Sequence, residues 1–194
     1  MNLAKSRDFF DPEHVADQDI HIIGCGAIGS NLAENIARLG VSKIHLWDFD
    51  IVEEHNLTNQ LFTYKHLGEP KTKALAQMLQ EINPEMHVHT HDNGWNGEEL
   101  KDYIFMGVDS INTRKNIVNT HRVCAGNIKA IFDFRMRLTD AQHYAATNST
   151  EDLKRMLKTM DFTDEEAKEA TPVSACNTTL SITPTVRTIT TTVS

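Results

Sequence analysis

The chain has 194 residues, of which 19 are lysine or arginine and 27 are aspartate or glutamate, so its formal net charge is −8. This length suits one α/β domain with a sizeable core and argues against two full-size domains. The acidic balance opposes non-specific attraction to nucleic-acid phosphates or anionic lipid, so we expect a small molecule or a protein as partner, with neither DNA nor a membrane.

The first two-thirds of the chain alternates short β-branched or aromatic runs with helical apolar stripes, which is typical of a doubly wound fold. Strands are predicted at 20–23, 43–47, 86–89, 103–108 and 129–134. Helices are predicted after the first strand, ending at Gly40, then before Asn83-Pro84, and over about 111–124. Right-handed crossovers then give a Rossmann-like α/β fold with a mostly parallel sheet.

The composition becomes acidic and helix-favouring from about residue 148 to 175, which predicts a helical crossover excursion over the surface. The only clear apolar stripe of this stretch consists of Leu153, Met156, Leu157 and Met160. A terminal helix is predicted from the helical spacing of Ile182, Val186, Ile189 and Val193. We treat residues 1–194 as a single domain and expect the chain to stop inside that helix, as a truncated protein would.

A glycine loop, Gly24-Cys25-Gly26-Ala27-Ile28-Gly29, lies directly after the first predicted strand and directly before a helix. Gly24, Gly26 and Gly29 form a G-x-G-x-x-G motif, in which glycines allow a tight turn and close backbone approach. The helix N-terminus offers unpaired N–H groups and a positive dipole end to phosphate. The alternative is a turn that only lets helix and sheet pack closely.

Asp48 ends the second predicted strand, at the distance from the glycine loop where a ribose-binding carboxylate is expected. Strand, glycine loop, helix and acidic residue together favour nucleotide binding. They do not distinguish ATP from NAD, since a nicotinamide-dependent oxidoreductase carries the same features.

Further segments resemble one family, the ubiquitin-activating enzymes and their bacterial ThiF/MoeB relatives, which include HesA. Asp48-Phe49-Asp50-Ile51-Val52-Glu53 is similar to the family's D-x-D-x-V-E, and Asn56-Leu57-Thr58-Asn59-Gln60 is similar to N-L-x-R-Q. The other matching segments are Gly68-Glu69-Pro70-Lys71, Ile82-Asn83-Pro84 and Asp109-Ser110-Ile111-Asn112-Thr113-Arg114, the last of which resembles D-N-x-x-x-R. The resemblance covers residues 18 to 135, weakens through 136–172 and returns around Ser174-Ala175-Cys176.

The resemblance implies an ATP-dependent adenylyltransferase that activates a carboxylate. Attack of a carboxylate on the α-phosphorus of ATP requires a site that holds polyphosphate, neutralises developing charge and binds Mg²⁺. By resemblance, Asp48 would hold the ribose, Lys71 would contact phosphate and Asp109 would help to place the metal. Further nucleotide contacts are implied for Asp50, Asn56 and Asn59.

Each of these residues also has an ordinary structural interpretation. Lys71 could be a solvated residue in the first turn of a helix, and Asp109 could be an N-cap. The position of Asp109 at the end of a strand favours function, because ligands of open α/β sheets bind beyond the carboxyl ends of strands. Arg114 is either a partner of the site or a surface helix residue.

Asn59 departs from the family pattern, which has a phosphate-binding arginine at that position. Asparagine can hydrogen-bond phosphate but carries no charge, so either another cation replaces it or stabilisation is weaker. Arg7 resembles the family's N-terminal arginine that reaches across a homodimer, although its spacing to the glycine loop is shorter. The paired CxxC zinc ligands of several relatives are absent, so no structural zinc site is predicted.

His87, His89 and His91 alternate along a predicted strand, which would place three imidazoles on one face. With no carboxylate or cysteine placed nearby by the sequence, a solvated strand face is favoured over a metal site.

The three cysteines are too few and too widely spaced for a disulfide framework. Cys25 and Cys124 are interpreted as packing residues. Cys176 lies where relatives that form a thioester or persulfide carry their cysteine, so it is a candidate acyl acceptor.

The leading hypothesis is activation of the C-terminus of a ubiquitin-like or sulfur-carrier protein by a homodimer. Alternatives are activation of a peptide or tRNA-base carboxylate, and a nucleotide-binding interaction module that has lost catalysis. An NAD-dependent oxidoreductase is least favoured. The N-terminus has no signal-peptide core, and no apolar run approaches membrane-spanning length, so we expect a soluble cytoplasmic protein.

Overall fold

A computed structural model of the protein describes residues 10–123, 127–136 and 141–170. Arg7, Cys124, Cys176 and the predicted terminal helix lie outside the described residues.

Six strands form one sheet in the order β3-β2-β1-β4-β5-β6. Neighbouring strands from β3 to β5 pair in parallel, and β6 pairs antiparallel with β5. The strands are β1 (Ile20–Ile23), β2 (Lys43–Trp47), β3 (His87–His91), β4 (Asp102–Met106), β5 (Ile128–Met136) and β6 (Ala141–Thr147). The doubly wound, mostly parallel sheet predicted from the sequence is confirmed.

Helices cover both faces of the sheet, so the core has two parts. Leu32 of α1 and Leu75 of α2 pack with Ile22 and Ile44 on one face. Leu153 of α4 packs on the other face, in a second cluster with α3 and β4. The helices are α1 (Ala27–Arg38), α2 (Lys71–Ile82), α3 (Ile111–Val123), α4 (Thr150–Lys158) and α5 (Asp164–Ala170), with short 3₁₀ turns at Pro12–Val15, Glu54–Thr58 and Tyr64–His66. In the described part of the chain, no helix has the length and apolar character needed to cross a bilayer.

The structure corrects one part of the prediction of a helical excursion over residues 148–175, namely the position of its apolar stripe. Leu153 and Met160 are fully buried and Met156 is nearly so, all in the second core cluster. The apolar stripe was therefore identified correctly, but α4 completes the core instead of lying outside it. The strand β6 that precedes α4 was not predicted.

Candidate nucleotide-binding site

The loop between β1 and α1 needs glycine at two positions for packing. Gly24 has φ +93°, and a Cβ there would lie 2.8 Å from the carbonyl carbon of Gly107. A Cβ on Gly29 would lie 1.8 Å from the carbonyl oxygen of Gly24. Close packing of helix, loop and the end of β4 therefore explains these two glycines without a ligand.

Gly26 is different, because a Cβ added there would meet nothing within 4 Å. This residue is the N-cap of α1 and provides no side-chain cap hydrogen bond. The N–H groups of the first turn of α1 consequently face a space in which a phosphate can be bound by dipole and hydrogen bonds.

Asp48 follows β2 and joins it to the glycine loop. Its Oδ2 accepts from the backbone N–H of Cys25 at 2.6 Å, and its Oδ1 accepts from that of Asp50 at 2.8 Å. Burial raises the pKa of Asp48, while these two N–H donors act in the opposite direction. A carboxylate has about four acceptor sites, so two remain for ribose hydroxyls.

Lys71 begins α2 but is only 6% exposed, which contradicts the solvated interpretation of this residue. Its Nζ donates to Oδ2 of Asp50 at 2.8 Å, and its backbone N–H donates to the carbonyl of Asp50 at 3.0 Å. The side chain of Asp50 is about half exposed. The ammonium group of Lys71 is thus held beside the segment that follows β2. There it can release the carboxylate of Asp50 and bind another anion instead.

Asn56 and Asn59 lie in the turn after that segment, and both are buried. The Oδ1 of Asn56 accepts from the backbone N–H of Glu53 at 2.9 Å, so this amide closes the turn. The Oδ1 of Asn59 is buried without a hydrogen-bond partner among the described residues. The Oδ1 of Asn59 is therefore free to accept a hydrogen bond from a ligand.

Asp109 stands exposed after β4, just before α3. It does not act as the N-cap, because Oγ of Ser110 accepts from the backbone N–H of Thr113 at 3.1 Å. Asp164 of α5 also accepts from the N–H of Ile111 and from Oγ of Ser110 at 3.0 Å. The exposed carboxylate of Asp109 is a suitable hard oxygen ligand for Mg²⁺.

Arg114 is 4% exposed, which excludes a surface helix position. Its guanidinium pairs with the fully buried carboxylate of Asp133 and donates to the carbonyl oxygens of Val108 and Phe134. Arg135 pairs with the same carboxylate. This network joins the end of β4 to β5 and so fixes the backbone next to Asp109.

Cys25 is fully buried, and burial raises the pKa of its thiol well above the usual range, with the charge of Asp48 adding to this shift. A neutral buried thiol is a packing group, as predicted.

Three of the predicted segments meet at the carboxyl ends of the central strands: the glycine loop, Asp48 and the residues that follow β4. The strand order reverses beside β1, and Gly24 after β1 touches Gly107 after β4. Asp48 links the loop after β1 to the end of β2. This crevice beyond the carboxyl ends of the strands is where open α/β sheets bind ligands.

Asp133 and Asp164 support the site from a distance and were not predicted from the sequence. Thr163 and Glu166 form a capping box, a sequence signal that predicts the start of α5. No local pattern, however, connects Asp164 to a helix 53 residues earlier.

A profile of the ThiF family matches residues 8–193. Ubiquitin-like modifier-activating enzyme 5 of Drosophila virilis is 36% identical over 92 residues, which are 47% of this chain and 22% of that protein. The same enzyme of Drosophila persimilis is 35% identical over 92 residues, or 47% of this chain and 23% of that protein. The chain thus spans less than a quarter of the length of these relatives.

Two solved structures have a similar fold. E. coli tRNA N6-threonylcarbamoyladenosine dehydratase, TcdA, aligns with a TM-score of 0.59 and 21% identity, over 82% of this chain and 73% of that one. PaaA aligns with a TM-score of 0.56 and 18% identity, over 65% of this chain and 40% of that one.

Proposed function

The chain belongs to the ThiF family, and from this premise we propose that it is an ATP-dependent adenylyltransferase acting on the C-terminal carboxylate of a ubiquitin-like or sulfur-carrier protein. The observation that supports the proposal most strongly is the hydrogen bond of Asp48 to the glycine loop, with buried Lys71 bound to Asp50 in the segment that follows Asp48 and with Asp109 exposed after the neighbouring strand β4. A ribose acceptor, a phosphate cation and a hard oxygen ligand are the three groups that bound ATP requires.

In the proposed reaction, an oxygen of the acceptor carboxylate attacks the α-phosphorus of ATP, and pyrophosphate leaves with the electron pair of the broken P–O bond. Asp48 orients the ribose, the first turn of α1 holds phosphate oxygens, and Lys71 offsets the charge that develops on them. Asp109 would hold Mg²⁺, which supplies positive charge to the polyphosphate when bound.

The acceptor is proposed to be a protein, for two reasons. The two Drosophila relatives are by name activating enzymes of ubiquitin-like modifiers. The −8 net charge opposes a tRNA substrate, although TcdA acts on tRNA according to its name. The proposal includes a homodimer, as the family resemblance implies, and a cytoplasmic location, which the wide spacing of the three cysteines favours.

The exchange of labelled pyrophosphate into ATP, with a ubiquitin-like protein that ends in Gly-Gly, tests the proposal on the full-length protein. Asp109→Ala should lower the exchange rate by roughly 100- to 1,000-fold and leave the melting temperature unchanged, because Asp109 is exposed and would act on the transition state. Asp17→Ala, which also removes an exposed carboxylate, is the matched control and should exchange normally.

Exchange that persists in Asp109→Ala would remove this residue from the mechanism. A larger rise in melting temperature with NAD than with ATP and Mg²⁺ at equal concentration would reject adenylation in favour of an oxidoreductase.

Cys176 is proposed to take the activated acyl group in a second step. Its thiolate would attack the acyl carbon of the adenylate and release AMP, forming a thioester. Cys176→Ala should then keep pyrophosphate exchange but lose a thiol-sensitive adduct with the acceptor, whereas Cys124→Ala should keep both. An adduct that survives Cys176→Ala would show that the reaction ends at the adenylate.

One observation favours a nucleotide-binding module without catalysis, namely the uncharged amide of Asn59 where the family has arginine. Asn59→Arg separates the two functions, since it restores a phosphate cation and should preserve or increase exchange by an enzyme. A protein that binds ATP but shows no exchange with either residue would be the binding module.

A further inference from the structure

Three histidines lie opposite one another across β1, β2 and β3. His21 pairs with His45, and His45 with His89, in the register of the parallel strands. The ring centroids are 4.5 Å apart for the first pair and 4.6 Å for the second. This cluster takes one histidine from each of three strands. The pattern of His87, His89 and His91 in the sequence, in contrast, lies along a single strand.

Two of these rings have nitrogen atoms that the described protein leaves without partners. The Nε2 atoms of His21 and His45 are buried and accept or donate no hydrogen bond to described residues. Asp19 is 7% exposed, and its Oδ1 lies 3.6 Å from Nε2 of His45. One ligand atom from each of the three residues falls within 4.8 Å of the others. Buried polar atoms without partners call for an explanation, and a bound ion is one.

We propose that Asp19, His21 and His45 bind a divalent transition-metal ion of the zinc class. Two imidazoles and a carboxylate are a ligand set that Zn²⁺ takes, with the remaining position open to water or to a further side chain. The site lies along the strands, separate from the glycine loop, and does not depend on the proposed adenylation.

His45 is already oriented as a ligand. Its Nδ1 lies 3.3 Å from Nε2 of His91, so in the tautomer with the proton on Nδ1, His45 donates to His91 and the lone pair of its Nε2 is left for a metal. Histidine ligands of metals regularly use their second nitrogen in this way, which fixes the tautomer and the ring orientation.

His21 must change tautomer to bind. Its Nδ1 accepts from the indole N–H of Trp47 at 3.1 Å, so neutral His21 carries its proton on Nε2. Metal binding at Nε2 moves that proton to Nδ1 with no net release, and the indole of Trp47 loses its acceptor. The fluorescence of Trp47 therefore reports occupancy of this site.

Two lysines compete with the metal for Asp19. Nζ of Lys101 lies 3.0 Å from Oδ2, and Nζ of Lys43 pairs closely with Oδ1. These ammonium groups neutralise the buried carboxylate when no metal is bound. The side chains of Lys43 and Lys101 are 30% and 64% exposed, so each can move into water when a divalent ion replaces it.

The test is a titration of the full chain, freed of metal by chelation, with ZnCl2 while tryptophan fluorescence is followed, and with CoCl2 while ligand-field absorption is followed. We expect saturable binding of one ion per chain by both readouts. His45→Gln should weaken binding by more than about tenfold. His87→Gln, which removes an exposed imidazole from the edge strand β3, is the matched control and should leave the titration unchanged.

Lys43→Met provides the decisive second variant, because it removes one of the competing cations and leaves all three proposed ligand residues in place. It should tighten Zn²⁺ binding, a change that a merely structural role of the cluster would not produce. Any one of three results would overturn the proposal. The first is a titration without a saturable signal, and the second is binding that is lost in His87→Gln but kept in His45→Gln. The third is an unchanged affinity for Zn²⁺ in Lys43→Met. If His45→Gln does not fold, Lys43→Met alone decides.

Discussion

The helices α1 and α3 begin at adjacent places, after the neighbouring strands β1 and β4, yet their N-termini differ. Gly26 leaves the first turn of α1 facing open space. The first turn of α3 is already occupied by the carboxylate of Asp164, which is contributed by α5. Asp164 thus neutralises the N-terminus of α3, which leaves the N-terminus of α1 as the proposed phosphate site.

The two helices also differ in what stabilises them. The ion pair of α1 is local, between Arg38 and Glu34 within the same helix. In α3, Asp164 binds the first turn from 53 residues away, and His121 of the last turn accepts from the backbone N–H of Leu100 at 2.9 Å. The ion pair of α1, the helix at the proposed nucleotide site, is therefore local, whereas α3 is bound at both ends by residues distant in sequence.

The largest expected effect is the loss of stability in acid that follows from His121. Burial lowers the pKa of His121, against smaller opposing contributions from the carbonyl of Ile117 and from Glu99. Below about pH 6.5, His121 is therefore protonated in the unfolded chain but stays neutral in the folded protein. The free energy of unfolding consequently falls as pH falls, by up to about 1.4 kcal/mol per pH unit.

Urea denaturation between about pH 7 and about pH 5 measures this slope. Burial also lowers the pKa of four other histidines (His21, His45, His66 and His91), so wild type is compared with His121→Gln, which should show a flatter pH dependence. Identical slopes for the two proteins would show that His121 contributes nothing to the acid sensitivity.

A smaller effect is expected from Asp164→Ala, which removes the distant cap of α3. The N–H of Ile111 and the hydroxyl of Ser110 lose their shared acceptor, at a cost of about 1 kcal/mol in unfolding free energy. Asp161→Ala, at an exposed position three residues earlier, is the control. Equal stability of the two variants would mean that the contact with α5 does not support α3.

The smallest effect is expected in α1. Arg38→Ala removes an ion pair whose arginine side chain is 59% exposed, so the loss should be no more than about 0.5 kcal/mol. A loss as large as that of Asp164→Ala would erase the distinction between locally and distantly supported helices.

The same distinction explains what could be predicted from the sequence. The bounds of β1 and β2 and the placement of Asp48 were predicted correctly, because each follows from a local apolar run or from a motif of fixed spacing. The strand β6 has no such run, since only Tyr144 and Ala146 of its residues are not exposed, and its existence depends on pairing with β5.

Partners that are distant in sequence were not accessible in the same way. The burial of α4 depends on the space left by α3 and β6. The sequence therefore shows the apolar stripe of this helix but not the surface against which the stripe packs. Asn56 was assigned to the nucleotide by resemblance, whereas its amide closes a turn with Glu53. The histidine cluster likewise arises from strand order, which aligns His21 with His45.

The contact between Gly24 and Gly107 has a consequence for the interpretation of missense variants. A Cβ on Gly107 would lie 3.3 Å from the carbonyl oxygen of Gly24 and 3.4 Å from the backbone nitrogen of Gly29, so alanine there would displace the glycine loop by a few tenths of an ångström. Gly107 belongs to none of the motifs described above, yet such a variant would show the phenotype of a mutation in the proposed nucleotide site. A genetic screen would then assign a binding defect to Gly107, which acts through the close packing of its backbone against the glycine loop.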